Sequence, residues 1–250
     1  MIRKSHFAAT SPSVTFKQLA AAALGAAAFA AAPAQAGVIG FDGWYGPVAG
    51  TEVYTESGFN LGFYANVAGG GAGALVGEFI DGSDPTYCVS MACPVNNPGM
   101  YYGAFNDSYI DITSSTNGQR FNIKSIDASF IGASPVLSSY PAVAGFLRIQ
   151  GFRADGSSAL QDVIFGKPAA GGFQFGHYNM TAAFAANEFV EALLFGFVCD
   201  SAGQCKAFQT NQGQFGVDNI ELTAVPEPAS ALIFGLGIAG LVAARRRKAA

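Results

Sequence analysis

Short apolar runs recur from position 38 to position 222, and Gly, Pro, Asn and Asp separate them. Runs of this kind are typical of strands in antiparallel sheets. The pattern predicts ten strands, at 38–41, 59–67, 75–80, 100–105, 109–112, 121–131, 143–152, 159–165, 189–198 and 215–222. Ten short strands with few helices predict an all-β fold, an antiparallel β-sandwich of the jelly-roll type.

The predicted strand 121–131 changes the phase of its apolar residues. Ile123 and the apolar residue before it follow one alternation, whereas Ile126 and the apolar residues after it follow the other. An extra residue in one strand of a pair accounts for such a change. We therefore predict a β-bulge near Lys124 or Ser125.

Three connecting segments have local signals of their own. Asn117 and Gly118 supply the positive φ angles that a tight hairpin turn needs. The segment 67–74 is rich in Gly and Ala and is interpreted as a loop. The segment 181–194 contains enough Ala, Glu and Leu for a helix, which leaves a helical turn open before the strand that ends at Val198.

Residues 1–36 have the three parts of a cleavable signal peptide. The leader carries three basic residues, Arg3, Lys4 and Lys17. A 14-residue apolar run occupies 19–32, and Ala34 and Ala36 form the small-x-small site that signal peptidase cuts. Cleavage there leaves Gly37 as the new N-terminus, so the chain is predicted to be exported.

The last 25 residues contain a second membrane signal. Pro226, Glu227 and Pro228 precede a 14-residue apolar segment at 231–244. Four basic residues follow, Arg245, Arg246, Arg247 and Lys248. The apolar segment would span about 21 Å as a helix, less than the hydrocarbon core of about 30 Å. A short membrane helix is therefore predicted, with its basic end held in the cytoplasm and the body of the chain outside.

This tail resembles the PEP-CTERM sorting region, which consists of a Pro-Glu-Pro motif, a short hydrophobic segment and an Arg-rich end. The resemblance implies recognition by an exosortase, a membrane protease-transferase that cuts near the motif and releases the protein or attaches it at the cell surface. In that family the trait accompanies Gram-negative bacteria that make exopolysaccharide and biofilm. The alternative is a plain membrane anchor after an incidental Pro-rich linker.

The end of the predicted domain carries a second resemblance. Gln214, Phe215 and Asp218 match the Gln-Phe-x-x-Asp that ends one subgroup of PEP-CTERM proteins just before the sorting signal. The stretch 146–156 also looks like a late strand of their jelly-roll domains. Such sandwiches resemble carbohydrate-binding modules, but that likeness is one of fold and establishes no ligand.

The exported body, residues 37–225, is long enough for one domain with a single core. It contains 6 basic and 16 acidic residues, a formal charge of −10, because all of the other basic residues lie in the two signals. Nucleic acids and acidic lipid surfaces require clustered positive charge. We therefore expect no nucleic-acid partner, and neutral glycans, cations and proteins remain open.

All four cysteines lie in the exported body, as two close pairs. The pairs are Cys88 with Cys93 and Cys199 with Cys205. An even number of cysteines in an oxidising compartment predicts two disulfides, although the sequence leaves their connectivity open. The alternative is a four-thiolate zinc site, which the wide second spacing disfavours.

Nucleophilic catalysis needs a base, and His177 is the only histidine of the exported body. No motif of a serine hydrolase, zinc protease or phosphate-binding loop accompanies it in that body. A glycosidase would need two carboxylates at a defined separation, which scattered Asp and Glu residues do not reveal. We therefore expect no catalytic residues, and neighbouring aromatic residues favour packing as the role of His177.

Two further clusters suggest binding. The oxygen-rich segment 81–85 is open to two interpretations, a structural calcium site or a turn before a proline. No metal ligands are assigned, and no other cofactor is expected. Four aromatic residues, Trp44, Tyr45, Tyr101 and Tyr102, could form an exposed platform for sugar rings, although burial in the core is the commoner fate of such residues.

The sequence thus predicts a non-enzymatic surface or matrix protein associated with exopolysaccharide or biofilm. Its expected partners are signal peptidase and an exosortase during export, the inner membrane transiently, and extracellular polysaccharide afterwards. Two alternatives are kept. A carbohydrate-binding module would show a row or groove of exposed aromatic residues, and a secreted hydrolase would show two facing carboxylates in a cleft.

Overall fold

The computed structural model describes residues 36–226. The predicted cleavage residue Ala34, the motif residues Glu227 and Pro228, the apolar segment 231–244 and the basic end 245–248 lie outside the described residues. Within the described range, no helix is long and apolar enough to cross a membrane. The described residues up to Val225 belong to one compact unit.

The described residues form fourteen strands and one short α-helix. The strands are β1 (Ala36–Ile39), β2 (Gly46–Ala49), β3 (Glu52–Glu56), β4 (Phe59–Tyr64), β5 (Leu75–Asp81), β6 (Met100–Ala104), β7 (Tyr109–Ser114), β8 (Phe121–Phe130), β9 (Val143–Phe152), β10 (Ser158–Gly166), β11 (Gly176–Asn179), β12 (Glu191–Cys199), β13 (Cys205–Lys206) and β14 (Phe215–Ala224). The helix is α1 (Ala182–Ala185), and short 3-10 turns lie at Ala68–Gly71, Pro85–Cys88 and Leu137–Ser139.

The strands form two seven-stranded sheets, and every strand pairing is antiparallel. Sheet I has the order β11-β8-β14-β6-β5-β2, and β1 also pairs with β14. Sheet II has the order β10-β9-β12-β7-β4-β3, and β13 forms a hairpin with β12. The predicted β-sandwich is confirmed.

Alternate side chains from both sheets form one apolar core. On sheet II, Leu147 and Ile149 of β9 are fully buried and pack in the same cluster as Leu194 of β12. On sheet I, Phe215 and Val217 of β14 enter this cluster from the other side. Burial of each such side chain contributes about 1.5–3 kcal/mol, so the period-2 pattern of the sequence accounts for the stability of the sandwich.

A smaller apolar cluster lies outside the sandwich, on the outer face of sheet I. Tyr101 alternates with the core residue Tyr102 along β6 and therefore points to this outer face, where it packs with Ile80, Cys93 and Phe105. The loop that carries Cys93 thus covers part of sheet I.

All ten predicted strands are present, and four strands were missed. The missed strands are β2, β3, β11 and β13. Three of them are short or contain residues that disfavour strands, such as Pro47 in β2 and Gly176 in β11. The helix that the sequence allowed before β12 is present as α1. The Thr181 hydroxyl caps this helix by accepting a hydrogen bond from the Phe184 N–H.

The predicted β-bulge is confirmed. The pairing of β8 with β14 runs from Asp127 opposite Asp218 to Ser125 opposite Glu221, which leaves an extra residue, Asn219, on the β14 side. The next pair in this register is Leu222 opposite Ile123, so Lys124 on β8 has no partner on β14. Two bulges therefore compensate each other, and the apolar residues on both sides of Lys124 stay in the core.

The hairpin predicted at Asn117 and Gly118 is wrong. Gly118 does have a positive φ of 76°, as a turn requires. However, β7 lies in sheet II and β8 lies in sheet I, so the turn carries the chain from one sheet to the other. The local turn signal was correct, but the choice of partner strand depends on contacts far away in the sequence.

The two disulfides are confirmed, and each closes a local loop. Cys88 pairs with Cys93, and Cys199 pairs with Cys205. None of the four cysteines remains free, so the alternative of a thiolate zinc site is excluded. Each cross-link of this length stabilises the fold by about 2 kcal/mol in the chain-entropy account.

Candidate functional site

The aromatic platform suggested by the sequence does not exist. Tyr101 and Tyr102 are fully buried, one on each side of β6. Trp44 packs into the edge of the core, with its ring centroid 4.8 Å from that of Tyr54. Tyr45 is 75% exposed and is the one prominent surface residue of the four. Burial, the commoner fate of large aromatic residues, applies here.

His177 belongs to a surface network of polar side chains. Its Nδ1 lies 2.7 Å from Asp127 Oδ1, and the other oxygen of Asp127 accepts a hydrogen bond from the Asn219 amide. Asn219 also donates to Asp218, whose carboxylate accepts a further bond from Asn97. Within the described residues, no hydroxyl or thiol is bonded to His177, so the arrangement lacks a nucleophile.

The acidic segment near Pro85 consists of two self-contained turns. Asp81 Oδ1 accepts hydrogen bonds from the N–H and the hydroxyl of Ser83. Asp84 Oδ1 accepts the same pair from Thr86, and these bonds lower the pKa of Asp84. Among the residues described, no three His, Cys, Asp or Glu side chains are placed to share a metal ion. The turn interpretation accounts for both carboxylates.

A row of aromatic side chains does exist, on the outer face of sheet II. The register places Phe195 of β12 opposite Tyr109 of β7, and Tyr109 opposite Tyr64 of β4. On the other side, Phe195 lies opposite Arg148 of β9, which lies opposite Asp162 of β10. Directly opposed residues of an antiparallel pair point to the same face. The five side chains therefore form one line across five strands, about 19 Å long, which we call the aromatic row.

Two rings of the aromatic row are partly open to solvent, whereas the third, Phe195, is 9% exposed. Tyr64 and Tyr109 stack with centroids 5.5 Å apart, and both side chains are partly exposed. Phe208, from the segment after β13, packs at 5.1 Å from Phe195 and at 6.3 Å from Tyr109. Tyr64, Tyr109 and Phe208 thus form the partly exposed apolar surface at the row, with two phenol hydroxyls.

The segment that carries Phe208 is held by a buried carboxylate. Asp107 is 3% exposed and accepts hydrogen bonds from the backbone N–H groups of Thr210, Asn211 and Gly213. The Cys199–Cys205 disulfide closes the hairpin that precedes this segment. These contacts fix Phe208 against the row, and the sequence pattern contained no signal for them.

Arg148 and Asp162 form the charged end of the aromatic row. The Arg148 guanidinium forms two hydrogen bonds to the Asp162 carboxylate, at 2.8 and 2.7 Å, which raise the pKa of Arg148. Its carbon lies 5.0 Å from the ring centroid of Phe197 and 5.5 Å from that of Phe146. Those two rings stack at 4.1 Å, so the guanidinium is held in a fixed position by ion-pair and cation–π contacts.

Polar groups lie beside the row, one step along the strands. Asp111 is two residues from Tyr109 and shares its face, and Glu191 lies diagonally across on β12. One oxygen of Asp111 is buried without a hydrogen-bond partner in the described part of the chain. Burial raises the pKa of Asp111 to about 6, and the negative charge of Glu191 adds to the effect. The site therefore contains a carboxylate in need of a donor.

A glycine shapes the surface next to Asp111. Gly62 lies opposite Asp111, and a Cβ at this position would be 2.7 Å from the Tyr64 hydroxyl. The absence of a side chain lets the Tyr64 ring lie over the strand. Asp111 and Glu191 project from the same face of sheet II.

Comparison with known families identifies the C-terminal tail. Residues 224–248 match the PEP-CTERM protein-sorting motif. This motif marks the chain as an exported, envelope-associated protein that an exosortase processes. Comparison with curated protein sequences finds no match.

Three solved structures resemble the sandwich weakly. An arabinose-bound GH51 α-L-arabinofuranosidase is 10% identical with a TM-score of 0.36, and the match covers 75% of this chain and 26% of that one. A DUF4465 family protein from Bacteroides ovatus is 9% identical with a TM-score of 0.36, over 77% of this chain and all of the other. Tailspike protein 4 of bacteriophage CBA120 is 10% identical with a TM-score of 0.27, over 68% of this chain and 20% of that one. Likenesses at this level carry no argument about activity.

Proposed function

We propose that the chain is a non-enzymatic cell-surface or matrix protein that holds extracellular polysaccharide on the aromatic row of sheet II. The leader is proposed to be removed by signal peptidase, and the domain to remain at the cell surface or in the matrix after sorting. The chain is also proposed to belong to the subgroup with Gln-Phe-x-x-Asp before the sorting signal.

The observation that carries this proposal is the line of partly exposed rings of Tyr64, Tyr109 and Phe208, which the register of β4 and β7 and the packing of Phe208 on Tyr109 bring together. Sugar rings have an apolar face that packs on aromatic rings, and a row of rings can hold several sugar units of one chain. Sugar hydroxyls can donate to carboxylates such as Asp111 and Glu191, which lie beside the row. A polysaccharide thus satisfies both the apolar and the polar groups of this face.

Charge narrows the class of polysaccharide. The exported body has a formal charge of −10, and the only cation of the row, Arg148, is already paired with Asp162. Anionic polysaccharides would therefore be repelled. The proposed ligand is a neutral or amine-bearing polysaccharide.

Substitution of the row tyrosines tests the proposal. Tyr109→Ala and Tyr64→Ala should each weaken binding to the polysaccharide of the producing cells by about tenfold, because each removes one stacking surface. The measurement is affinity electrophoresis of the exported protein in gels that contain the extracted polysaccharide. Tyr45→Ala is the matched control, since Tyr45 is an exposed tyrosine outside the row.

Two outcomes would contradict the proposal. Equal retardation of the parent protein and both row variants would exclude the aromatic row as the binding surface. Release of new reducing ends from the polysaccharide by the pure parent protein would contradict the non-enzymatic role.

A further inference from the structure

A concave site lies on the outer face of sheet I, on the opposite side of the sandwich from the aromatic row. It is a cleft of about 340 Å³ between the end of β5, the loop closed by Cys88–Cys93 and the segments near Pro135 and Gly172. A cavity of this size falls in the range of small-molecule sites. We call it the disulfide-loop cleft.

The walls of the cleft are fixed before any ligand binds. The Asn96 side chain forms two hydrogen bonds with the backbone of Phe175, at 2.7 and 3.0 Å. The Asn97 amide donates to Asp218 at 2.8 Å. Together with the disulfide, these bonds hold the loop against sheet I, so a ligand would not need to order it.

Apolar groups and one unsatisfied hydroxyl line the interior. Ile80 and Met91 line the cleft together with the disulfide. Tyr101 also lines it, is fully buried, and its hydroxyl has no hydrogen-bond partner among the residues that the structure describes. A buried hydroxyl without a partner is unfavourable, and a polar group of a ligand could satisfy it.

The rim of the cleft is negative. Asp81 and Asp84 both line it, and each uses only its Oδ1 to close its own turn. The second oxygen of each carboxylate accepts no hydrogen bond from the described residues. The cleft lining contains no Lys, Arg or His, and so the rim attracts cations and repels anions.

We propose that the disulfide-loop cleft binds a small organic cation, an ammonium group on an apolar body. The ammonium group lies between the carboxylates of Asp81 and Asp84. The apolar body packs against Met91 and the ring of Tyr101, and a polar atom on this body reaches the Tyr101 hydroxyl. This site is independent of the aromatic row and of the polysaccharide proposed there.

Three compounds of equal chain length test the proposal on the full exported protein. Hexylammonium should bind in calorimetric titrations, whereas hexanol and hexanoate should bind at least about tenfold more weakly, because only the amine forms charge-assisted hydrogen bonds with the rim. In the protein's NMR spectrum, the Met91 methyl signal should shift with hexylammonium.

Asparagine substitutions provide the matched comparison. Asp81→Asn and Asp84→Asn keep an oxygen for each turn and remove the charge, and each should weaken hexylammonium binding by about tenfold. Asp155→Asn is the control, because Asp155 closes the same kind of turn with Ser157 but does not line the cleft.

Three results would overturn the proposal. The first is equal binding of hexanol and hexylammonium, and the second is undiminished binding in both rim variants. The third is an equal loss in the Asp155→Asn control, which would mean that only overall charge matters. If a rim variant fails to fold, the Met91 shift in the parent protein decides, and no shift there overturns the proposed position.

Discussion

At the scale of single residues, Asp111 on the aromatic face makes the stability of the folded domain depend on pH. Burial and the neighbouring Glu191 raise its pKa from 3.8 to about 6. The folded domain therefore binds this proton more tightly than the unfolded chain does. The resulting stabilisation is fully present below pH 3.8 and is lost as the pH rises through about 6. Burial raises the pKa of Asp218 to about 6 as well, so both carboxyls act in the same direction.

Replacing Asp111 by Asn should remove its share of this pH dependence. A shift of this size would correspond to about 3 kcal/mol, but the side chain is partly exposed and screening reduces the effect to about 1 kcal/mol. We expect Asp111→Asn to be more stable than the parent at pH 7.5 and to lose less stability between pH 4 and pH 7.5. Urea unfolding at both pH values measures this.

The matched control for this experiment is Asp218→Asn. This substitution should remove only the contribution of Asp218 to the pH dependence of the free energy of unfolding. The contribution of Asp111 should remain, so the free energy of unfolding should depend less on pH in the double variant than in either single variant. An Asp111→Asn protein with the pH dependence of the parent would show that the carboxyl is not desolvated in solution.

At the scale of elements, the pairing of β8 with β14 depends on two compensating bulges. Asn219 is the extra residue of β14 and has a positive φ of 46°. Asn tolerates this left-handed conformation better than most residues, and its amide donates to Asp127 and Asp218. One residue therefore supplies both the backbone shape and the polar contacts of the bulge.

Two substitutions separate these contributions. Asn219→Ala loses the hydrogen bonds and strains the backbone, and should lower the free energy of unfolding by about 2 kcal/mol. Asn219→Gly loses only the hydrogen bonds and should cost about 1 kcal/mol. Asn60→Ala, at an exposed side-chain contact in the regular strand β4, should change stability by less than about 0.5 kcal/mol.

Thermal and urea unfolding of the three variants decide this prediction. If Asn219→Gly is as unstable as Asn219→Ala, the left-handed backbone contributes nothing and the bulge depends on the amide alone.

At the scale of the whole molecule, the two ends of the exported domain lie side by side. Ala36 in β1 pairs with Thr223 in β14. The last hydrogen bond of the sandwich runs from the Val225 N–H to the Arg120 carbonyl, and Pro226 follows as an exposed residue. The first residue of the sorting motif, Pro226, thus directly follows the last hydrogen-bonded residue of the sandwich.

Replacing Pro226, Glu227 and Pro228 together by Ala should leave export intact and block processing. Full-length protein should then accumulate in the inner membrane, because the prolines that keep the motif extended for the exosortase are gone. Thr223→Ala, one residue before the matched region 224–248, is the control and should be processed like the parent. Intact mass spectrometry of the surface fraction measures the result, and a mature parent protein that still contains residues 231–250 would falsify exosortase sorting.

The sequence alone determined the ten longer strands, the presence of two disulfides and the sorting signal, because each depends on neighbouring residues or on composition. Alternating polarity predicted all ten longer runs, and the change of phase at Lys124 predicted the bulge. The even number of cysteines predicted two disulfides, but only the structure showed that Cys88 pairs with Cys93 and Cys199 with Cys205. The tail was recognisable because its three parts follow one another directly, as the match at residues 224–248 confirms.

Only the tertiary structure decided which surface residues come together. Tyr101 and Tyr102 suggested an exposed platform, but a loop covers one face of their strand and the core covers the other. Tyr64, Tyr109 and Phe195 are far apart in the sequence and form a row only through the register of β4, β7 and β12. A strand's own pattern indicates which side chains share a face, but the order of the strands and the loops that cover them depend on long-range packing.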